Sequence, residues 1–303
     1  MQQAMPTSAY ALALLLSVLW GGNYVAIKVG VTHVPPVGAA GLRFLLGMVA
    51  VFSWARFRRS RLGIAEGEWF FILINTLILF IQISLLNIGT KWTTGANTTV
   101  FMSTYPVFVA VAAHFINKGD RLNLRRLIGL GLSLAGIFVV FQDQLRVDFA
   151  TLFGDTLVLA SALLLGFKIA YVKRCLAHIT MERLLFYQAL FAVPLFAAAS
   201  LIVEWNGWVE SLDAAGPKEL TAAALAIAYQ GLVIAGFCFL GWTWLLSRYQ
   251  ASRIAAFTFI TPLGGLVLSH WMLGDHLGLG LWLGCLLVGG GVTLATTGED
   301  RGQ

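Results

Sequence analysis

Three basic side chains stand inside apolar runs of this sequence: Lys28, Arg43 and Lys168. A charge in hydrocarbon is costly, so an intramembrane cation faces protein or water and marks a functional position by default. The chemistry it offers is capture of an anion. A substrate carboxylate is the natural partner for Lys168, with Tyr171 one helical turn further on. Each cation also has a plainer explanation: Lys28 and Lys168 lie close enough to a run's end to snorkel to water, and Arg43 suits a gating or structural role.

Polar and aromatic residues extend the pattern. Trp20, Tyr24 and Lys28 recur every four residues with Asn23 beside them, which places them along one helical face. An aromatic stripe with an amide suits an amphiphilic ligand such as an amino acid, and it equally suits helix packing. Asn75 and Gln82 lie seven apart. Asn97, Phe101 and Tyr105 follow a helical stripe, and so do Gln230, Phe237 and Trp244. Amides in such runs bond neighbouring helices at about 1 kcal/mol each, so any one of them serves packing. Together they describe an aromatic cavity with sparse polar anchors.

Pro106 and Pro262 sit within long apolar runs. Each removes a backbone hydrogen bond from the carbonyl one turn earlier, at Met102 or Thr258. A hinge that bends during function and a static kink are both open. His114 and His270 fall at run ends, where interfacial packing competes with a pH-sensing role. Asp155 and Glu68 fall near expected helix ends, and no carboxylate is expected near the middle of a span. That argues against cation/proton antiport and leaves facilitated efflux as the simplest mechanism.

Catalytic and cofactor patterns are missing from the sequence. It contains no GxGxxG, P-loop, HExxH or GxSxG string, and Cys175, Cys238 and Cys285 have no metal-binding spacing. No metal, no cofactor and no nucleic-acid partner is expected. His270 to Asp275 does spell the His-x4-Asp of some acyltransferases. The matching stretch from His114 to Asp120 has one residue more, so a membrane-embedded enzyme is a distant alternative.

The elements that carry these residues follow from composition. Hydrophobic residues make up 58% of the chain and charged residues 11%, far from the roughly one-quarter charged residues of a soluble domain. Apolar runs of about 20 residues recur from end to end. Ten spans are expected: 8–30, 37–55, 68–88, 93–116, 126–141, 153–172, 182–203, 219–247, 252–273 and 278–297. The first lacks a basic leader and exceeds a signal-peptide core. With the N-terminus in the cytoplasm, the outer loops hold only Lys91, Arg146 and Lys218, while Arg56 to Arg61, Lys118 to Arg126, Lys173, Arg174, Arg183, Arg248 and Arg253 face inward. Basic loops are retained on the cytoplasmic side, so both termini are expected there.

One stretch is written twice. Phe101 to Pro106, His114, Gly119-Asp120, Gly129 and Gly136 repeat as Phe257 to Pro262, His270, Gly274-Asp275, Gly284 and Gly291, with one residue of slip. More faintly, Asn23 aligns with Lys168 and Arg43 with Gln188. Such repeats divide the chain at 1–145 and 146–303, and five spans per half invert the second relative to the first. The expected fold is an all-α polytopic membrane protein: ten transmembrane helices as two inverted five-helix repeats around a central cavity.

These residues carry a family resemblance. Leu19-Trp20-Gly21-Gly22-Asn23-Tyr24, with Lys28, Pro35-Pro36 and Arg43, resembles the opening of an EamA-type drug/metabolite transporter. Tyr105-Pro106-Val107-Phe108 and Thr261-Pro262-Leu263, each followed by a short loop and a Gly-rich helix, resemble its repeated signature. The likeness runs from the first span to Gly291 and is strongest to bacterial amino acid exporters, including those of aromatic amino acids. Asp120 and Asp275 depart from the Glu often found there. The resemblance implies alternating access in a bacterial cytoplasmic membrane, a small-molecule substrate, and Trp20 and Tyr24 at the cavity. A carrier of phosphorylated sugars or nucleotide sugars would use the same basic residues and stays open, as do monomer and homodimer.

Overall fold

A proline pair makes the first corner. The residue before a proline is pushed out of helical geometry, and Val34, ahead of Pro35, is extended at φ −129° and ψ 140°. Helix α1 (Thr7–His33) therefore stops there. Pro36 then opens α2 (Pro36–Phe57) at its first position, where the missing N–H is no loss. The computed structural model describes residues 6–116, 124–144, 149–176, 178–248 and 260–296. The side chain of His114, and Asp120 and 249–259 with Phe257 and Thr258, lie outside the described residues.

The chain continues through α3 (Glu68–Trp92), α4 (Gly95–Met102), α5 (Tyr105–Ile116), α6 (Leu124–Gln144), α7 (Phe149–Cys175) and α8 (Met181–Val203). Then come α9 (Trp205–Ala214), α10 (Pro217–Ala228), a π-wound segment (Tyr229–Cys238), α11 (Phe239–Arg248), α12 (Ile260–Leu273) and α13 (Leu279–Thr296). Six stretches are long and apolar enough to cross a bilayer: α1, α2, α3, α7, α8 and the run from Pro217 to Trp242. The protein is a multi-pass helical membrane protein.

Four features differ from the expected spans. The span expected over 93–116 is broken, with a turn at Ser103–Thr104 between α4 and α5. Pro106 cannot donate to the preceding turn, and the hydroxyls compete for its carbonyls: Ser103 Oγ donates to Thr99 O at 2.7 Å and Thr104 Oγ1 to Phe101 O at 2.6 Å. The span expected over 219–247 contains ten residues of π winding, which takes more residues per turn than an α-helix. The loop after Val203 contains α9, whose Trp208 Nε1 donates to Ser200 Oγ at 2.9 Å. Finally, α7 begins at Phe149 rather than Phe153.

Small residues bring the helices together. A Cβ on Gly136 of α6 would lie 2.8 Å from Gly284 O of α13, and Ser133 donates to Val288 O at 3.3 Å, so the two helices run antiparallel in close contact. A Cβ on Gly89 of α3 would lie 2.8 Å from Gly154 O of α7, and further along Gln82 meets Ser161. Helices α2 and α8 are antiparallel too. Gly38 faces Ser200, Phe44 stacks on Phe196 at 5.7 Å, and Phe52 meets Phe186 at the other end. Helix α1 packs on α12 through Gly21 and Gly265 and on the π segment through Tyr229, whose hydroxyl donates to Leu19 O. The main core lies where α1, α2, α4 and α8 meet, around Tyr24, Phe44, Phe101 and Phe196.

Candidate functional site

Among the described residues two cations are buried: Arg43 of α2, 3% exposed, and Lys168 of α7, 5% exposed. A helix cap positions the first and a close helix contact the second. Glu204 accepts from Val37 N and Gly38 N at 3.0 Å each, capping α2 two turns before Arg43. Gly166 lets α7 close on Phe108 of α5 just before Lys168. The two cations lie within electrostatic range of each other, Arg43 also within range of Tyr24, and Tyr24 within range of Tyr105.

Partners for these charges are missing among the described residues. Arg43 Nε and Nη1 and Asn23 Oδ1 are buried with no hydrogen bond. The carboxylates inside the bundle are committed elsewhere. Glu68 takes Arg183 at 2.6 Å and Ala65 N at 2.9 Å. Asp275 takes Ala96 N at 3.0 Å and the hydroxyl of Ser269. Asp155 takes the hydroxyl of Thr93 and the amide of Asn97 at 3.1 Å. A buried ion without its counter-charge costs several kcal/mol. The chemistry such a pair of cations offers is capture of an anion, and Tyr24, Phe44, Phe101 and Tyr105 of the main core add aromatic faces.

The remaining sequence candidates are placed elsewhere. Lys28 donates to three carbonyls at the end of α3, those of Thr90, Lys91 and Thr93, at 3.1, 3.0 and 2.5 Å. Trp20 leaves Tyr24 and packs in a second cluster with Trp244, at 5.3 Å from Phe239 and 6.0 Å from Trp242. Tyr171 joins a third cluster with Ile72, Cys175 and Leu184. Gln82 donates to Ser161 Oγ at 2.8 Å, Asn75 to Gln188 Oε1 at 2.6 Å and Gln230 to Ala26 O at 3.0 Å. Phe237 does not share Gln230's face. Gln230 is 2% exposed and Phe237 is 47% exposed, because seven residues of π winding fall well short of two turns. Pro106 follows the α4–α5 break, and Pro262 is the third residue of α12. His270 Nδ1 donates to Asp275 O at 2.9 Å on the exposed side.

Asp155 was read as a helix-end residue. The earlier start of α7 puts it nearly two turns inside, fully buried. The apolar Phe149, Leu152 and Phe153 ahead of it were the available signal. Glu204 and Asp275 were also missed as caps, because their amide partners lie 167 and 179 residues away.

The EamA-like transporter family matches this chain over residues 7–142 and 152–297. A Bacillus subtilis (strain 168) protein described as "Uncharacterized transporter YoaV" is 27% identical over 284 residues, covering 93% of this chain and 94% of that protein. An Escherichia coli (strain K12) protein described as "Probable amino-acid metabolite efflux pump" is 28% identical over 281 residues, covering 91% of each. One of the same description from Salmonella typhimurium (strain LT2) is 28% identical over 88% of this chain and 87% of its own length. A crystal structure 20% identical in sequence superposes with a TM-score of 0.67, covering 95% of this chain and 97% of that one, a likeness of fold.

Proposed function

Since the chain belongs to the EamA-like transporter family and is a membrane transporter rather than an enzyme, we propose that it exports amino acids and close metabolites with apolar or aromatic side chains. The carrying observation is the pair of buried cations, Arg43 and Lys168, whose charges no described carboxylate answers. They anchor the substrate carboxylate. Tyr24, Phe101 and Tyr105 contact its side chain, and the free Asn23 Oδ1 accepts from its amino or amide N–H. The printed descriptions of two relatives point the same way.

The transport cycle is alternating access between two inverted five-helix halves, 1–145 and 146–303, in a bacterial cytoplasmic membrane with both termini inside. Support comes from the pairing of equivalent helices, since α2 crosses α8 and α6 crosses α13 antiparallel. The break between α4 and α5 beside Pro106 is the hinge of the first half, and Pro262 marks that of the second. Differential binding to the two packings shifts their populations.

Counterflow of labelled phenylalanine, tryptophan and leucine and of their close metabolites into proteoliposomes tests this. Lys168→Gln and Arg43→Gln each remove a charge-assisted bond, so apparent affinity falls about 10- to 100-fold. Exchange of sugar phosphates with no flux of any amino acid or amino-acid metabolite refutes the reading. The aromatic wall argues against sugars, whose hydroxyls need more polar partners than Asn23 and two tyrosines supply.

A further inference from the structure

The charge balance at the centre of the bundle goes beyond a preference for carboxylates. Arg43 and Lys168 bring two positive charges together, and the other described groups in electrostatic range, Tyr24, Tyr105 and Cys175, are uncharged, as is Asn23 beside Tyr24 in the sequence. A zwitterionic amino acid has no net charge. Bound there, its carboxylate and ammonium cancel and the excess of two positive charges remains, whereas a monoanion lowers that excess to one. The acceptors within reach are Asn23 Oδ1, the tyrosine hydroxyls and the ring faces. Ring faces attract cations, but the guanidinium of Arg43 already lies 5.4 Å from the Phe44 ring centroid. Among the described residues no buried carboxylate is free to hold an ammonium, since Asp155, Glu68, Asp275 and Glu204 each already accept hydrogen bonds.

We infer that the preferred substrate is a net organic anion of the amino-acid kind, an N-acylated or deaminated aromatic or apolar acid, rather than the zwitterion. The inference rests on the proposed anion role of Arg43 and Lys168. It also accounts for energy supply without a coupling ion. Charge crossing a membrane couples to its potential, and a cytoplasm held negative drives a monoanion outward. The potential then does the work that an intramembrane proton carrier does in an antiporter.

The test uses proteoliposomes of the full chain, potassium gradients with valinomycin, and three labelled probes: N-acetylphenylalanine, phenylpyruvate and phenylalanine. Steady-state distribution is read because it does not depend on the orientation of the inserted protein. For the two anions an interior-negative potential of 100 mV should shift the outside-to-inside ratio by about 50-fold, with counterflow at least tenfold above phenylalanine. Arg43→Gln should narrow that selectivity, and Arg43→Lys should restore it in part. A variant that misfolds is recognised by its melting curve, and Lys168→Gln then makes the same test. Flux of phenylalanine alone, insensitive to potential, overturns the inference while leaving the amino-acid reading intact. Flux of none of the three, with sugar phosphates exchanged, overturns both. Anion flux that ignores the potential also overturns it.

Discussion

Lys28 separates the two chemistries that its sequence position permits. Its Nζ meets the carbonyls of Thr90, Lys91 and Thr93, which the end of α3 leaves without intrahelical partners. A cation at a helix C-terminus also answers the dipole. The bond to Lys91 O is exposed, so water replaces it at little loss. The other two are partly buried, and hydrogen bonds to a charged group contribute about 1.5 kcal/mol each at the low end. Lys28→Met should therefore destabilise the protein by about 3 kcal/mol, a drop of several degrees in melting temperature. The assay is a thermal melt in detergent, paired with counterflow KM in proteoliposomes. The expected outcome is lower stability with an unchanged KM in the surviving protein, and partial recovery in Lys28→Arg. An unchanged melt with a tenfold higher KM would refute the capping argument and return Lys28 to the substrate.

Gly136→Leu should lower the melting temperature through overpacking worth about 1–3 kcal/mol, because the added atoms meet Gly284 O, whereas Gly131→Leu, with nothing within 4 Å, should melt as the parent does. Glu204→Gln keeps the shape of the α2 cap and removes its charge, at about 1 kcal/mol, and KM should stay unchanged. A double-mutant cycle on Gln82→Leu and Ser161→Ala should return a coupling of about 1 kcal/mol in thermal stability, and a coupling near zero would remove the α3–α7 pair as a fastener.

Long apolar runs made the main spans legible, and Pro35-Pro36 made the first corner legible, because both signals are local. The π segment was not. Its cause is a contact with another helix: a Cβ on Gly231 would lie 2.8 Å from Arg43 O, and one on Gly236 would lie 2.7 Å from Ala50. Small residues five apart that meet one partner ask for a slower winding than 3.6 per turn, and nothing within 219–247 alone says which helix will approach. The use of the polar stripes was open for a related reason. Periodicity names a face, and the neighbour decides its use. Gln82, Asn75 and Gln230 found helix partners and joined the scaffold. Trp20 turned to α11 while Tyr24, four residues later, turned to the core. Arg43 suits a gating or structural role on the sequence of its own helix, and nothing in that helix announces a second cation on α7.

The halves differ where that chemistry sits. In the proposed alignment Asn23 pairs with Lys168 and Arg43 with Gln188, so each half contributes one cation and one amide at exchanged positions. The amides behave differently. Gln188 accepts from Asn75 and is absorbed into the α3–α8 contact, while Asn23 keeps a free, buried oxygen. The two cations, by contrast, lie within electrostatic range of one another. A packing change that separated α2 from α7 would relieve their mutual repulsion, and a bound anion would oppose it. In the proposed cycle that would couple occupancy to the spacing of α2 and α7 through electrostatics alone, with no requirement that the substrate touch the α4–α5 break. It follows that neutralising either cation should speed interconversion of the empty carrier while weakening its hold on substrate, opposite effects that one assay of exchange and one of net efflux can separate.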